Sequence, residues 1–200
     1  MTNDRTCSYD AFSGAMERWP QAGDQLFRPG RDSFLAKHKA ERNYRIRRGY
    51  KQAGDILIYS ALTDRCVRDS VIFPAIFNYR HYIEIALKTI IEDHGEFAGV
   101  AIGSRNHKLP ELWQLFLGIA TAFGNDCSDT ATIAVGKCID EFNVVDDRST
   151  AFRYSDDLRG GTPPLPEDLD LLGLRDAMTG IENFFECADL DFTSKKESYN

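Results

Sequence analysis

Apolar residues in this chain recur at steps of three and four over several separate stretches, and that spacing predicts helices. The clearest stretch opens at Pro74, a residue that the first turn of a helix tolerates. Ile76, Tyr79, Ile83, Ala86, Leu87 and Ile90 then share one face, Phe73, Phe77, Ile85 and Ile91 widen it, and Gly95 stands where a terminal glycine ends a helix. A helix apolar on several sides belongs at the centre of a bundle. Ala53, Leu57 and Ala61 mark an earlier helix over about 50–69. Leu112, Leu115, Phe116, Ile119 and Phe123 mark one opened by Pro110 and stopped by Gly124-Asn125. Ser128 or Asp129 caps another, carrying Ile133, Cys138, Ile139 and Phe142. The last runs from near Glu167 to about Ala188, with Leu171, Leu174, Met178, Ile181 and Phe185 inward. A further helix is expected to begin at Ser33 and to enter a basic stretch. No segment alternates with period two over any length, so the expected fold is all-α, a single bundle of five or six helices. The expected organisation is an N-terminal arm with a basic helix (1–48), the helical bundle (49–192) and a frayed tail (193–200).

Composition supports this picture and narrows the setting. Of 200 residues, 42% are apolar and 28% charged, an ordinary balance for one globular domain. A chain of this length buries a core without needing a disulfide or a metal. The five cysteines (Cys7, Cys66, Cys127, Cys138 and Cys187) form no C-x-x-C pair, which predicts reduced thiols. Met1 to Asp10 is polar with no apolar stretch after it. The longest apolar segment, Val71 to Ile91, is broken by Asn78, Arg80, His81, Glu84 and Lys88. Neither an export signal nor a membrane span is expected, and the location expected is cytoplasmic. The net charge of −7 argues against a general nucleic-acid coat. Charge is unevenly placed, however: Lys37, Lys39, Arg42, Arg45, Arg47, Arg48 and Lys51 stand close together against Glu41 alone, and 140–170 is strongly acidic. This basic run either holds an anionic ligand or pairs within the molecule.

Candidate chemistry concentrates on the central helix. Arg80, Glu84 and Lys88 stand at i, i+4 and i+8 and form one ridge, with His81 beside it. Charges on so apolar a helix need partners. They either satisfy each other as an ion ladder or hold a phosphate or carboxylate, with His81 moving a proton. His107, just before Pro110, either caps a helix or points into a site between helices. Phe152-Arg153-Tyr154 lies in the long polar loop 146–166 and reads as a turn pinned by its rings, its guanidinium directed at Glu84, at Asp147 or at an anion. Phosphate-binding glycine loops, metalloprotease motifs and nucleophile elbows are absent from the sequence, and no cofactor or metal is expected.

Three segments carry a family resemblance: Tyr79-Arg80-His81-Tyr82-Ile83-Glu84-Ile85-Ala86-Leu87-Lys88, His107-Lys108-Leu109-Pro110-Glu111-Leu112-Trp113, and Asp147-Arg148-Ser149-Thr150-Ala151-Phe152-Arg153-Tyr154. In order and spacing these resemble the HEPN superfamily, small helical domains of prokaryotic defence and toxin–antitoxin systems, over roughly residues 50–190. The resemblance implies RNA or nucleotide binding, a homodimer, an antitoxin or defence partner, and metal-independent endoribonuclease chemistry. The family's catalytic arginine and histidine, four to six residues apart on a late helix, have no counterpart here: the stretch 167–188 contains Arg175 but no histidine. A different site built from Arg80, His81, Glu84, His107 and Arg153 is the candidate. The alternative is a non-catalytic structural or interaction module in which Arg80, Glu84 and Lys88 form an internal ion ladder.

Overall fold

The computed structural model describes residues 38–100, 107–147, 149–153, 165, 166 and 168–198, together with a few isolated positions before residue 38. Among the described residues there are five helices and no strand: α1 (Lys39–Thr63), α2 (Arg65–His94), α3 (Leu109–Ala122), α4 (Thr130–Val145) and α5 (Leu171–Ser198). The fold is all-α, as the apolar spacing predicts.

One residue separates α1 from α2. Asp64 leaves the helical region (φ −128°, ψ 111°), and its N–H still donates to the Ser60 carbonyl while its carboxylate accepts the Cys66 N–H at 2.8 Å. It therefore closes one helix and caps the next. This moves the start of the central helix forward to Arg65, so Pro74 sits inside α2 and not in its first turn. Pro74 has no N–H to give to the turn before it, and its own carbonyl accepts Asn78 Nδ2 at 2.6 Å. α1 likewise runs unbroken through the expected boundary at 48/49, joining the basic stretch to the bundle.

α2 is the axis of the core. Tyr79, Tyr82, Ile83, Ala86, Leu87, Ile90 and Ile91 are all buried on it. α1 lies along it and supplies Ile58 and Ala61. The two helices come close at Gly54, where an added Cβ would stand 2.4 Å from Tyr79 Cε1. α3 and α5 close another side with a cluster of rings: Trp113 stacks on Phe116 at 4.9 Å, Phe116 meets Phe185 edge-on at 5.9 Å, and Phe123 stacks on Phe192 at 5.0 Å. α4 is capped by Asp129, which accepts the Ala131 and Thr132 N–H groups, and it packs Val135 and Ile139 inward.

α5 departs from expectation at both ends. It begins at Leu171, where Asp170 Oδ1 accepts the Gly173 N–H at 2.9 Å and the Asp170 carbonyl accepts the Leu174 N–H. It continues to Ser198, through most of the stretch expected to fray. Burial of Phe192 holds the extra turns, helped by Lys195 Nζ on Asp191 Oδ2 at 2.7 Å and on the Asn125 side chain, and by Lys196 Nζ on the Asp93 carbonyl at 3.1 Å.

Lys51, in the basic run, takes the reading of pairing within the molecule and is buried: its Nζ lies 2.8 Å from Asp55 Oδ2 and 3.3 Å from Glu182 Oε2, and Tyr79 donates to Asp55 Oδ1 at 2.8 Å. It is a core cation tying α1 to α5. Reduced thiols hold for Cys127, Cys138 and Cys187, but Cys66 is disulfide-bonded. Pairing depends on which cysteines the fold brings together, and spacing in the chain does not report that. No helix among the described residues is long and apolar enough to cross a membrane.

Candidate functional site

The ridge on α2 is the organising feature. Arg80, only 1% exposed, donates through Nη1 to Glu84 Oε2 at 3.3 Å, through Nε to the Asp146 carbonyl at 3.2 Å and through Nη2 to the His107 carbonyl at 3.2 Å. One guanidinium thus joins α2 to the end of α4 and to the segment entering α3. Asp146 Oδ2 also stands 3.3 Å from Nε, adding charge although the bond itself goes to the carbonyl. The other oxygen, Oδ1, accepts the Thr150 and Ala151 N–H groups at 2.7 and 3.1 Å. Asp146 therefore holds the turn that carries Arg153.

Glu84, 2% exposed, takes its remaining contacts on Oε1: Lys88 Nζ donates at 2.7 Å and His107 Nδ1 at 2.6 Å. Burial would push this carboxyl up, but the hydrogen bonds and charges of Lys88 and His107 outweigh it and hold the group below the usual carboxylate range. Glu84 is therefore a buried carboxylate at neutral pH. His107 is different in kind. Its side chain is 65% exposed. With Nδ1 donating to Glu84, Nε2 carries the lone pair of the ring. Lys88 Nζ lies 3.5 Å from His107 Nδ1 and is about a third exposed, so an ammonium stands at the edge of the same site.

His81 and Arg153 meet through an aromatic ring. His81 packs between Tyr50, edge-on at 4.4 Å, and Phe77, stacked at 5.6 Å. Its half-buried imidazole is held below the usual histidine value, by desolvation first and with help from the charges of Lys88, Arg80 and His107. It is neutral at pH 7. Arg153 places its guanidinium 5.6 Å from the centre of the same Phe77 ring and donates through Nε to the Ser149 carbonyl at 2.7 Å. Ser149 adopts φ 61°, the left-handed conformation that lets the turn close. Phe152 is buried and pins the turn, in line with the reading from sequence; Tyr154 lies outside the described residues.

The five candidate residues thus gather on one flank of α2 in two linked groups. Arg80, Glu84 and His107 are bonded directly, and His81 and Arg153 share Phe77. The choice between an ion ladder and a ligand site divides by residue. Arg80 and Glu84 face inward and are satisfied by the protein, so Arg80 does not reach a ligand. His107 and Lys88 face outward. Asp146 was missed as a site residue because it reads as one acid among many in a polar loop. No group of three or more histidine, cysteine, aspartate or glutamate side chains among the described residues is arranged to hold a metal ion.

The basic run of α1 is partly answered within the protein. Lys39 pairs with Glu92, Arg45 with Glu41 at 2.7 Å, and the buried Lys51 with Asp55 at 2.8 Å. Of the two readings of that run, internal pairing accounts for these three. The chain matches no protein-family model, and no significant match to it was found among curated proteins or solved structures.

Proposed function

We propose that the protein binds RNA or a nucleotide on the His107 flank of α2 and cleaves a phosphodiester there without a metal ion. The observation that carries this reading is an exposed imidazole held by a deeply buried, charged carboxylate at 2.6 Å. A carboxylate so placed fixes the tautomer and orientation of a histidine and stabilises the imidazolium that forms when it takes a proton. Lys88, and Arg153 on its ring platform, supply positive charge for a phosphate. His81, neutral and half buried, is the second proton-transfer group. Glu84 and Arg80 are positioning residues.

The same reading keeps the HEPN-like setting as part of the proposal: a homodimeric ribonuclease or RNA-binding module of a defence or toxin–antitoxin system. The three resembling segments and the all-α bundle support it. With Arg175 as the only arginine of α5 and no histidine there, catalysis would run through His107 and not through a late-helix motif. A second reading, a structural or interaction module with an internal ion ladder, is favoured by Glu84 accepting both Arg80 at 3.3 Å and Lys88 at 2.7 Å, and by the bonds of Arg80 that join α2 to both flanking segments.

The test is incubation of the full chain with a pool of labelled RNA, with and without chelator, beside His107→Ala and Glu84→Gln. Cleavage that survives the chelator and is lost in a folded His107→Ala protein supports the reading, and Glu84→Gln should lower kcat more than it changes KM. No cleavage and no binding by the folded wild type at low salt would leave the structural reading.

A further inference from the structure

A second site lies at the other end of the α1–α2 pair, where both helices meet α5. Lys39, Asn43 and Arg47 from α1, Glu92 and Asp93 from α2, and Asp189 from α5 line a cleft of about 420 Å³. That size falls within the ordinary range of small-molecule sites, roughly 300–1,000 Å³. Its floor is fixed from beneath. His94, buried at the end of α2, donates through Nε2 to Asp189 Oδ1 at 2.8 Å. The other oxygen of Asp189 faces Arg47 Nη1 across 4.0 Å, beyond hydrogen-bond reach. Arg47 Nη1 is buried, on a side chain only 12% exposed, and has no hydrogen-bond acceptor among the described residues. A buried charged donor without an acceptor is costly to a fold, and a bound acceptor relieves it.

The acids pose the complementary problem. Asp93 is held above the usual aspartate value, by desolvation first and then by the negative charge of Asp189, with Glu92 adding to it and His94 and Lys196 partly opposing it. Glu92 has an answer in Lys39. Asp93 and Asp189 would gain from a cation between them. An anion alone would meet three carboxylates, and a cation alone would leave Arg47 unanswered. A molecule carrying both charges a few ångströms apart satisfies both demands.

We infer that this cleft binds a small zwitterion of the α-amino acid class, its carboxylate on Arg47 and its ammonium between Asp93 and Asp189. Asn43 is placed to add a neutral hydrogen bond, and Ala40 and Tyr44 give the wall against which a side chain rests. The residues differ from those of the His107 flank, so this site stands or falls independently of RNA binding or cleavage.

The experiment is a thermal-shift screen of the full chain against the twenty proteinogenic amino acids at millimolar concentration, followed by calorimetry on any hit. Each hit is compared with its N-acetyl and carboxamide derivatives. The expected result is saturable binding of at least one amino acid, weakened about tenfold or more by removing either charge, since each charge makes a charge-assisted hydrogen bond. Arg47→Gln and Asp93→Asn should each weaken binding by a similar factor. If Arg47→Gln fails to fold, the exposed Asp93→Asn decides alone. No shift with any amino acid, equal binding of the acetylated or amidated derivatives, or wild-type affinity in Asp93→Asn would overturn the inference.

Discussion

At the scale of single residues, the chemistry of this protein turns on what burial does to charge. Arg80 and Glu84 are both nearly inaccessible, and each is answered by the other and by further partners. Removing one partner of such a pair leaves the other buried and unpaired. Arg80→Ala is therefore expected to destabilise the protein by about 3–5 kcal/mol, measured by urea unfolding. An exposed pair of the same spacing, Arg45 with Glu41, should change stability by less than about 1 kcal/mol when Arg45 is replaced by alanine. Glu84 and His81 each contribute a step to the pH response. Glu84 is held below its ordinary value of 4.5, so the stability it contributes is complete above that pH and is lost as pH falls through the lower folded value. His81 is held below 6.5 because its burial disfavours the charged form. In the unfolded chain it protonates first, so stability declines as pH falls below about 6.5 and levels off below the folded value. Urea midpoints measured from pH 8 to pH 2 should show both steps, and His81→Phe, which keeps a ring between Tyr50 and Phe77, should remove the upper one.

At the scale of elements, helix positions follow from local signals and helix contacts do not. Asp129 caps α4 as its sequence position suggests. Asp64 divides two long helices through one side chain and one extended residue, and it was passed over because Pro74 is the stronger formal signal. Pro74 could enter the helix interior because capping at Asp64 and packing of the turns around it outweigh one missing hydrogen bond. The close approach of α1 to α2 at Gly54 is invisible along the chain, where a glycine amid helical spacing reads as a weakness. The ring that fills the space belongs to Tyr79, which is fully buried and bonded to Asp55. It has no room to move. Gly54→Ala should cost about 1–3 kcal/mol, although alanine is the better helix former, and thermal unfolding would read it directly. Likewise Phe192→Ala should cost about 3–5 kcal/mol and loosen the last turns of α5, which hydrogen exchange would register as lost protection there.

For the whole molecule, net charge and charge placement give different forecasts, and the placement is the one that matters. The basic run of α1 left an anionic ligand and internal pairing both open, and Lys39, Arg45 and Lys51 are paired with acids of the same chain. The cations on the His107 flank are few, chiefly Lys88 and Arg153. RNA binding there should accordingly have a shallow salt dependence. At roughly −0.7 per phosphate on a single strand, two contacts give a log–log slope of about −1.4. Titrations between 50 and 200 mM salt would check this, and a slope several times steeper would move the RNA from this flank to the α1 surface.

The all-α class and the rough number of helices could be read from the sequence, because a 3.6-residue apolar period needs no knowledge of neighbours. So could the importance of the central helix, whose apolar residues cover several faces, and the ridge Arg80–Glu84–Lys88, which is a matter of spacing. His107 and Arg153 were visible as candidates by residue type. What their side chains do was decided in three dimensions. Arg80 became a structural tie because the segments at His107 and Asp146 fold over it, and His107 became an exposed ring held by a buried carboxylate because Glu84 lies beneath it. The burial of Lys51, the helical continuation to Ser198, and the unanswered Arg47 over Asp189 are likewise tertiary facts. The reason is the same in each case. Periodicity and capping depend on residues within a few positions of one another, whereas the burial of a charge depends on which distant segment closes over it.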